Sequence, residues 1–103
     1  MIKAEQVIEK LQAHRRELEE LGVRHAALFG SMARNEARED SDIDIAVTFA
    51  DTDDMKGAGY FGAYQEVMER LEALFAVDVD LTDERMMRPA IRPAYESDHI
   101  RAF

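Results

Sequence analysis

The chain has 103 residues, enough for one hydrophobic core but not two, and 47% hydrophobic with 34% charged residues is the balance of a folded domain rather than a disordered one. The absence of cysteine excludes disulfides and thiolate metal sites, and a net charge of −9 repels phosphate backbones, which argues against direct nucleic-acid binding. No apolar run is long enough to span a bilayer and no signal peptide is evident, so a single domain over residues 1–103 in the cytoplasm is expected, with no membrane partner.

From Ile2 to Leu21 the apolar residues Ala4, Val7, Ile8, Leu11, Leu18 and Leu21 recur at helical spacing, and Gly22 is a natural stop. His14 lies on that stripe and reads as a packed or half-exposed helix residue. Val23 to Phe29 reads as a first strand, and His25 near its start has no partner at metal-ligand spacing. Gly30 then permits a turn that a Cβ would resist, a short helix starts at Ser31, and Asn35 ends it because Asn tolerates positive φ.

A polar loop leads through Ser41 to a second strand, Ile43 to Phe49, whose apolar residues Ile43, Ile45, Val47 and Phe49 alternate. Asp42 and Asp44, at i and i+2, share the opposite face. At about 5 Å and an effective dielectric of about 20 their repulsion is about 3 kcal/mol, so a fold that keeps both calls for a cation between them. Hard divalent ions such as Mg²⁺ take carboxylate oxygens and leave positions for phosphates. A Gly-Ser turn opening a helix offers N–H groups and a hydroxyl to an anion. Residues 28–47 therefore describe a meeting point of phosphate and metal.

Residues 50–57 form a charged loop whose aspartates lack the spacing of a calcium loop. Gly57-Ala58-Gly59-Tyr60-Phe61-Gly62 spells a dinucleotide fingerprint, but it follows an acidic loop rather than a buried strand and is rejected. Tyr60 to Phe75 carries a broad apolar helical face. Ala76 to Thr82 then alternates strictly, with Val77, Val79 and Leu81 on one side and Asp78, Asp80 and Thr82 on the other. One of these acids can join Asp42 and Asp44, although acidic residues on an edge strand also guard against aggregation. In the tail, Pro89 is placed to start a short helix with Pro93 near its first turn, and residues 99–103 suit an edge strand. Arg85, Arg88, Arg92 and Arg101 either bind phosphate or balance local acid.

Gly30-Ser31, ten residues, then Asp42-Ile43-Asp44 resembles the G-S-x10-D-x-D signature of the DNA polymerase β-like nucleotidyltransferase superfamily. Within it, Leu28-Phe29-Gly30-Ser31-Met32-Ala33-Arg34, Ser41-Asp42-Ile43-Asp44 and Val79-Asp80-Leu81-Thr82 resemble the minimal nucleotidyltransferase (MNT) antitoxins of HEPN/MNT toxin–antitoxin pairs. The resemblance covers essentially the whole chain. It departs in having Asn35 where many relatives have Gly, and in crowding Asp78 beside Asp80.

The resemblance implies an α/β (α+β) fold with a small mixed sheet of three or four strands flanked by helices, in the order α-β-α-β-α-β-α(-β). It implies that Gly30 and Ser31, with Arg34 beside them, bind the nucleotide phosphates. Asp42, Asp44 and Asp80 would hold two Mg²⁺ ions, with Asp80 taking the proton of the attacking hydroxyl and Asp78 its rival as third acid. It also implies a Mg-dependent protein adenylyltransferase that moves AMP from ATP to a tyrosine hydroxyl of a HEPN ribonuclease toxin, releases pyrophosphate and forms a complex with the toxin. An acidic surface is compatible with docking onto a basic RNA-binding protein. Relatives that modify antibiotics or RNA carry an extra acceptor domain, and this chain shows none. Two other readings stand beside the first: an antitoxin that neutralises by binding alone, and a small-molecule nucleotidyltransferase completed by a separate acceptor subunit.

Overall fold

Helix formation at the N-terminus is interrupted once. In a computed structural model describing residues 2–38 and 41–103, α1 (Ala4–Ala13) and α2 (Arg15–Glu20) replace the single helix expected from Ile2 to Leu21. The break falls at His14, which leaves the helical region at φ −102° and ψ 16° and contacts Glu17 Oε2 through Nδ1 at 3.0 Å. The apolar stripe is unaffected, because Val7, Leu11 and Leu18 are all buried. Gly22, at φ +101°, turns the chain into the sheet. Met1 and residues 39–40 of the expected polar loop, together with the Asp54 side chain, lie outside the described residues.

Two strands have the bounds expected from the sequence, β1 (Val23–Phe29) and β2 (Ile43–Phe49). Between them lies α3 (Gly30–Ala33), and Asn35 at φ +60° ends that turn as expected. A 3-10 turn, Asp53–Met55, interrupts the charged loop before α4 (Ala58–Phe75). Gly59 and Gly62 are therefore helical residues, and the glycine run is no phosphate loop. The next strand, β3 (Val79–Asp83), starts and ends later than the alternation predicts, and Val77 is 40% exposed rather than part of the core. Ala76 explains the late start: it caps α4 at φ +57°, so the following residues serve to return the chain to the sheet.

After a second 3-10 turn, Glu84–Met86, comes α5 (Arg92–Asp98). Pro93 sits in the first turn of α5 as expected, whereas Pro89 does not start a helix. A two-residue β4 (Ile100–Arg101) closes the chain against β1.

The sheet order is β3-β2-β1-β4, with β2 antiparallel to β1 and parallel to β3, and with β4 antiparallel to β1. Parallel pairing of β2 and β3 requires a crossover, and α4 supplies it. One face of the sheet, carrying Leu28, Ile43, Ile45, Val47, Phe49, Val79 and Leu81, packs against Val7, Leu11, Val67, Leu71 and Phe75 in one apolar cluster. The other face has only a small cluster, Ala27, Ala46, Met87 and Tyr95, with Phe29 against it. The thin cover over that second face leaves the polar residues at its margins accessible.

Candidate active site

Strand register builds the site. Asp44 is the cross-strand partner of Phe29 on β1 and of Asp80 on β3. Paired residues of neighbouring strands point to the same side of a sheet, so Asp44 and Asp80 stand side by side on the thinly covered face. Asp80 is exposed and Asp44 half-buried. The Asp44 carboxyl is pushed up to about 6, first by burial, then by the charge of Asp80, a hydrogen bond with Asp80 and the charge of Asp42, with Arg34 pulling the other way. Carboxylates crowded closely enough to disfavour ionisation mark a place where a cation would relieve the repulsion.

Asp42 lies just before β2 and is exposed. Among the described residues, no three acidic or histidine side chains converge closely enough to form a preformed cage. Even so, the donor set fits a hard divalent cation, because all-oxygen carboxylates crowd against one another and Mg²⁺ ordinarily completes its shell with water and substrate phosphate. Asp78 precedes β3, and its carbonyl accepts a hydrogen bond from the Ile43 N–H at 3.1 Å. The residue placed opposite Asp44 is Asp80, and Asp80 rather than Asp78 is the acid whose charge acts on Asp44.

Gly30 joins β1 to α3 at φ +74°, and a Cβ built there would run into the Asp44 carboxylate, with Cγ only 2.8 Å away. Glycine is required twice over, by backbone conformation and by space. The first turn of α3 accordingly lies directly beside Asp44. The N–H groups of a helix's first turn have no partner within the helix, so this end of α3 suits phosphate oxygens. Ser31 follows Gly30 in this turn, and its carbonyl accepts a hydrogen bond from the Glu36 N–H at 2.8 Å. Arg34 closes it, with Nε 3.2 Å from Glu36 Oε2 and Nη1 4.0 Å from Asp98 Oδ2 on α5. Gly30, Ser31, Arg34, Asp42, Asp44 and Asp80 are thus gathered at one end of the sheet.

Residue pattern alone does not show what flanks Asp80 in space. A cleft of about 350 Å³ there is lined by Phe29, Asp80, Thr82, Met86, Met87, Arg88 and Ile91. Apart from Phe29, its apolar members come from residues 84–91, a stretch too short and irregular for periodicity to reveal. A second cleft of about 510 Å³ opens at the other end of the same face, where Arg85, Arg92 and Arg101 gather with His25, His99 and Glu84. His25, which had no partner in the sequence, contacts the Arg101 guanidinium there.

This arrangement corresponds to a known family. A model described as polymerase beta, nucleotidyltransferase matches residues 5–93. The chain belongs to the polymerase β-type nucleotidyltransferase family. A Thermococcus cleftensis relative named protein adenylyltransferase MntA is 38% identical over 92 residues, covering 88% of this chain and 87% of its own. Among solved structures, a chain of a toxin–antitoxin crystal structure with AMP-PNP superposes with a TM-score of 0.66 at 25% identity, over 89% of this chain and 72% of that one. A further structure, of a tri-AMPylated Shewanella oneidensis HEPN toxin in complex with its MNT antitoxin, has a TM-score of 0.61 at 23% identity and shares the fold, over 93% of this chain and 71% of that one. The mixed four-stranded sheet flanked by helices is the fold that the G-S-x10-D-x-D resemblance implies.

Proposed function

We propose that the chain is an antitoxin that transfers AMP from ATP to a tyrosine hydroxyl of a HEPN-type ribonuclease toxin and silences it in the cytoplasm. The observation that carries this reading is the pairing of Asp44 with Asp80 beside a Gly30 that only glycine can fill. Support for the acceptor being a protein comes from the Thermococcus relative's name and from the tri-AMPylated HEPN toxin found with an antitoxin of the same fold.

In this reading the first turn of α3, with Gly30 and Ser31, receives the β- and γ-phosphates, and Arg34 adds positive charge beside them. Asp42, Asp44 and Asp80 hold Mg²⁺, with two ions expected. When bound, magnesium neutralises the phosphate charge and stabilises attacking and leaving oxygens together. Asp80, the exposed member of the pair, takes the proton of the incoming hydroxyl. The tyrosine oxygen forms a bond to the α-phosphorus as the bond from that phosphorus to the bridging oxygen breaks, and pyrophosphate leaves in line. The half-buried Asp44 stays fixed by its strand neighbours and sets the geometry.

The test is incubation of the wild-type chain with its HEPN partner, Mg²⁺ and labelled ATP, followed by intact-mass measurement. The expected result is a partner heavier by whole AMP units, with the label on tyrosine. Any other mass increment, or label remaining on the antitoxin alone, contradicts adenylylation.

A further inference from the structure

Among the described residues five large apolar side chains are exposed, and three of them lie along one path. Phe61 at the start of α4 is 72% exposed, Met86 in the second 3-10 turn 70%, and Ile91 before α5 43%. Phe61 and Met86 line one cleft of about 450 Å³ together with Tyr60, Met55 and Arg85. Met86 and Ile91 line the next, whose wall includes Asp80. Met86 therefore joins the two clefts into a continuous strip that ends at the proposed catalytic base.

Exposed apolar patches bounded by polar residues mark interaction surfaces, and Met, Phe, Tyr and Arg are the residue types enriched there. Methionine is also the side chain best able to adapt to a partner's contour. The path reaches past the neighbourhood of Asp80 to the start of another helix, an extent that suits a protein surface better than a single nucleotide. Rather than polar groups placed to read a base, its members are a phenyl ring, a thioether and a branched alkyl chain.

We propose that the strip Phe61–Met86–Ile91 is the docking surface for the toxin, and that it leads the toxin's acceptor hydroxyl to Asp80. The inference rests on the adenylyltransferase reading above and names the surface that would deliver its protein substrate. Arg88, on the wall of the same cleft as Asp80, is placed to meet acidic or carbonyl groups that flank the acceptor.

The experiment measures toxin affinity and ATP affinity in parallel for Phe61→Asp and Met86→Asp, with melting curves to confirm folding. Both positions are mostly exposed, so wild-type melting is expected. Toxin affinity is expected to fall 10-fold or more while ATP affinity changes less than twofold, and the wild-type chain alone is expected to be monomeric. Unchanged toxin binding in both variants overturns the proposal. So does an equal fall in ATP affinity, which would make the strip a base pocket, or a wild-type dimer that Phe61→Asp dissociates. If the wild-type chain binds the toxin through this strip yet transfers no AMP, the adenylyltransferase reading fails and the docking surface stands.

Discussion

Two ends of one sheet face carry charge in opposite ways. At one end Asp44, Asp80 and Asp42 crowd together, and the carboxyl of Asp44 is pushed up to about 6 by burial and by its acidic neighbours. At the other end, about 13 Å along β2 at strand rise, the arginines face groups that already answer them. Arg92 Nη2 donates to the Glu84 carbonyl at 2.6 Å, Arg101 Nε donates to the Phe103 carbonyl at 3.1 Å, and Arg85 Nε lies 3.7 Å from Asp83 Oδ1. The Glu84 carboxylate is itself bonded, accepting from the Thr48 hydroxyl at 3.0 Å. Charge satisfied within the chain stabilises the fold, whereas charge left in mutual repulsion waits for a ligand. The larger cleft, at the arginine end, is therefore not the end where chemistry is expected.

The sharpest way to break that contrast is to remove one acid at a time. Asp80→Asn is expected to lower AMP transfer at least 1,000-fold, because it would remove both the proposed metal ligand and the proposed base, while Asp78→Asn stays within a few-fold of wild type. Single-turnover rates with the toxin measure both, and equal losses would mean that strand register does not select the acid. Next in size is Gly30→Ala, where the strained φ and the collision with Asp44 should cost about 1–3 kcal/mol of stability and 10-fold or more in rate. Chemical denaturation and the same rate assay read the two effects.

A smaller and opposite effect is expected from Asp44→Asn. A carboxyl whose pKa is raised on folding destabilises the native state above that pKa, so stability falls as pH rises from the unfolded value near 4 through about 6. The variant should therefore gain about 1 kcal/mol at pH 7, after allowing for solvent screening of a half-exposed group, and the gain should vanish below pH 4. Metal-free denaturation curves across that range check the sign. Smallest in its effect on transfer is Arg92→Met at the other end, expected to cost about 1 kcal/mol of stability for its lost bond to the Glu84 carbonyl and to leave AMP transfer within twofold of wild type. A large loss of activity there would erase the distinction between the two ends.

How much of this was legible in the residues differs by element. β1 and β2 were readable to the residue, β1 because Gly22 and Gly30 bracket it and β2 because its apolar residues alternate from Ile43 to Phe49. Asp44 and Gly30 were readable as a pair, since spacing and residue type constrain both. The choice between Asp78 and Asp80 on residue pattern alone was not, because alternation puts them on the same side and only the register with β2 separates them. The break at His14 was hidden as well, since the apolar stripe runs through it unaltered and the local hydrogen bond to Glu17 leaves no periodic trace. Residues 84–91 were the least legible, because a 3-10 turn and an irregular stretch have no period to detect. Those residues build the cleft beside Asp80.

Whether silencing requires AMP transfer is decided by toxin neutralisation with the Asp42→Asn/Asp44→Asn double variant, measured together with the mass of the toxin. The double variant is expected still to bind the toxin, to leave its mass unchanged and to fail to silence it. Neutralisation equal to wild type by an antitoxin that adds no AMP would contradict this expectation and make binding alone the mechanism.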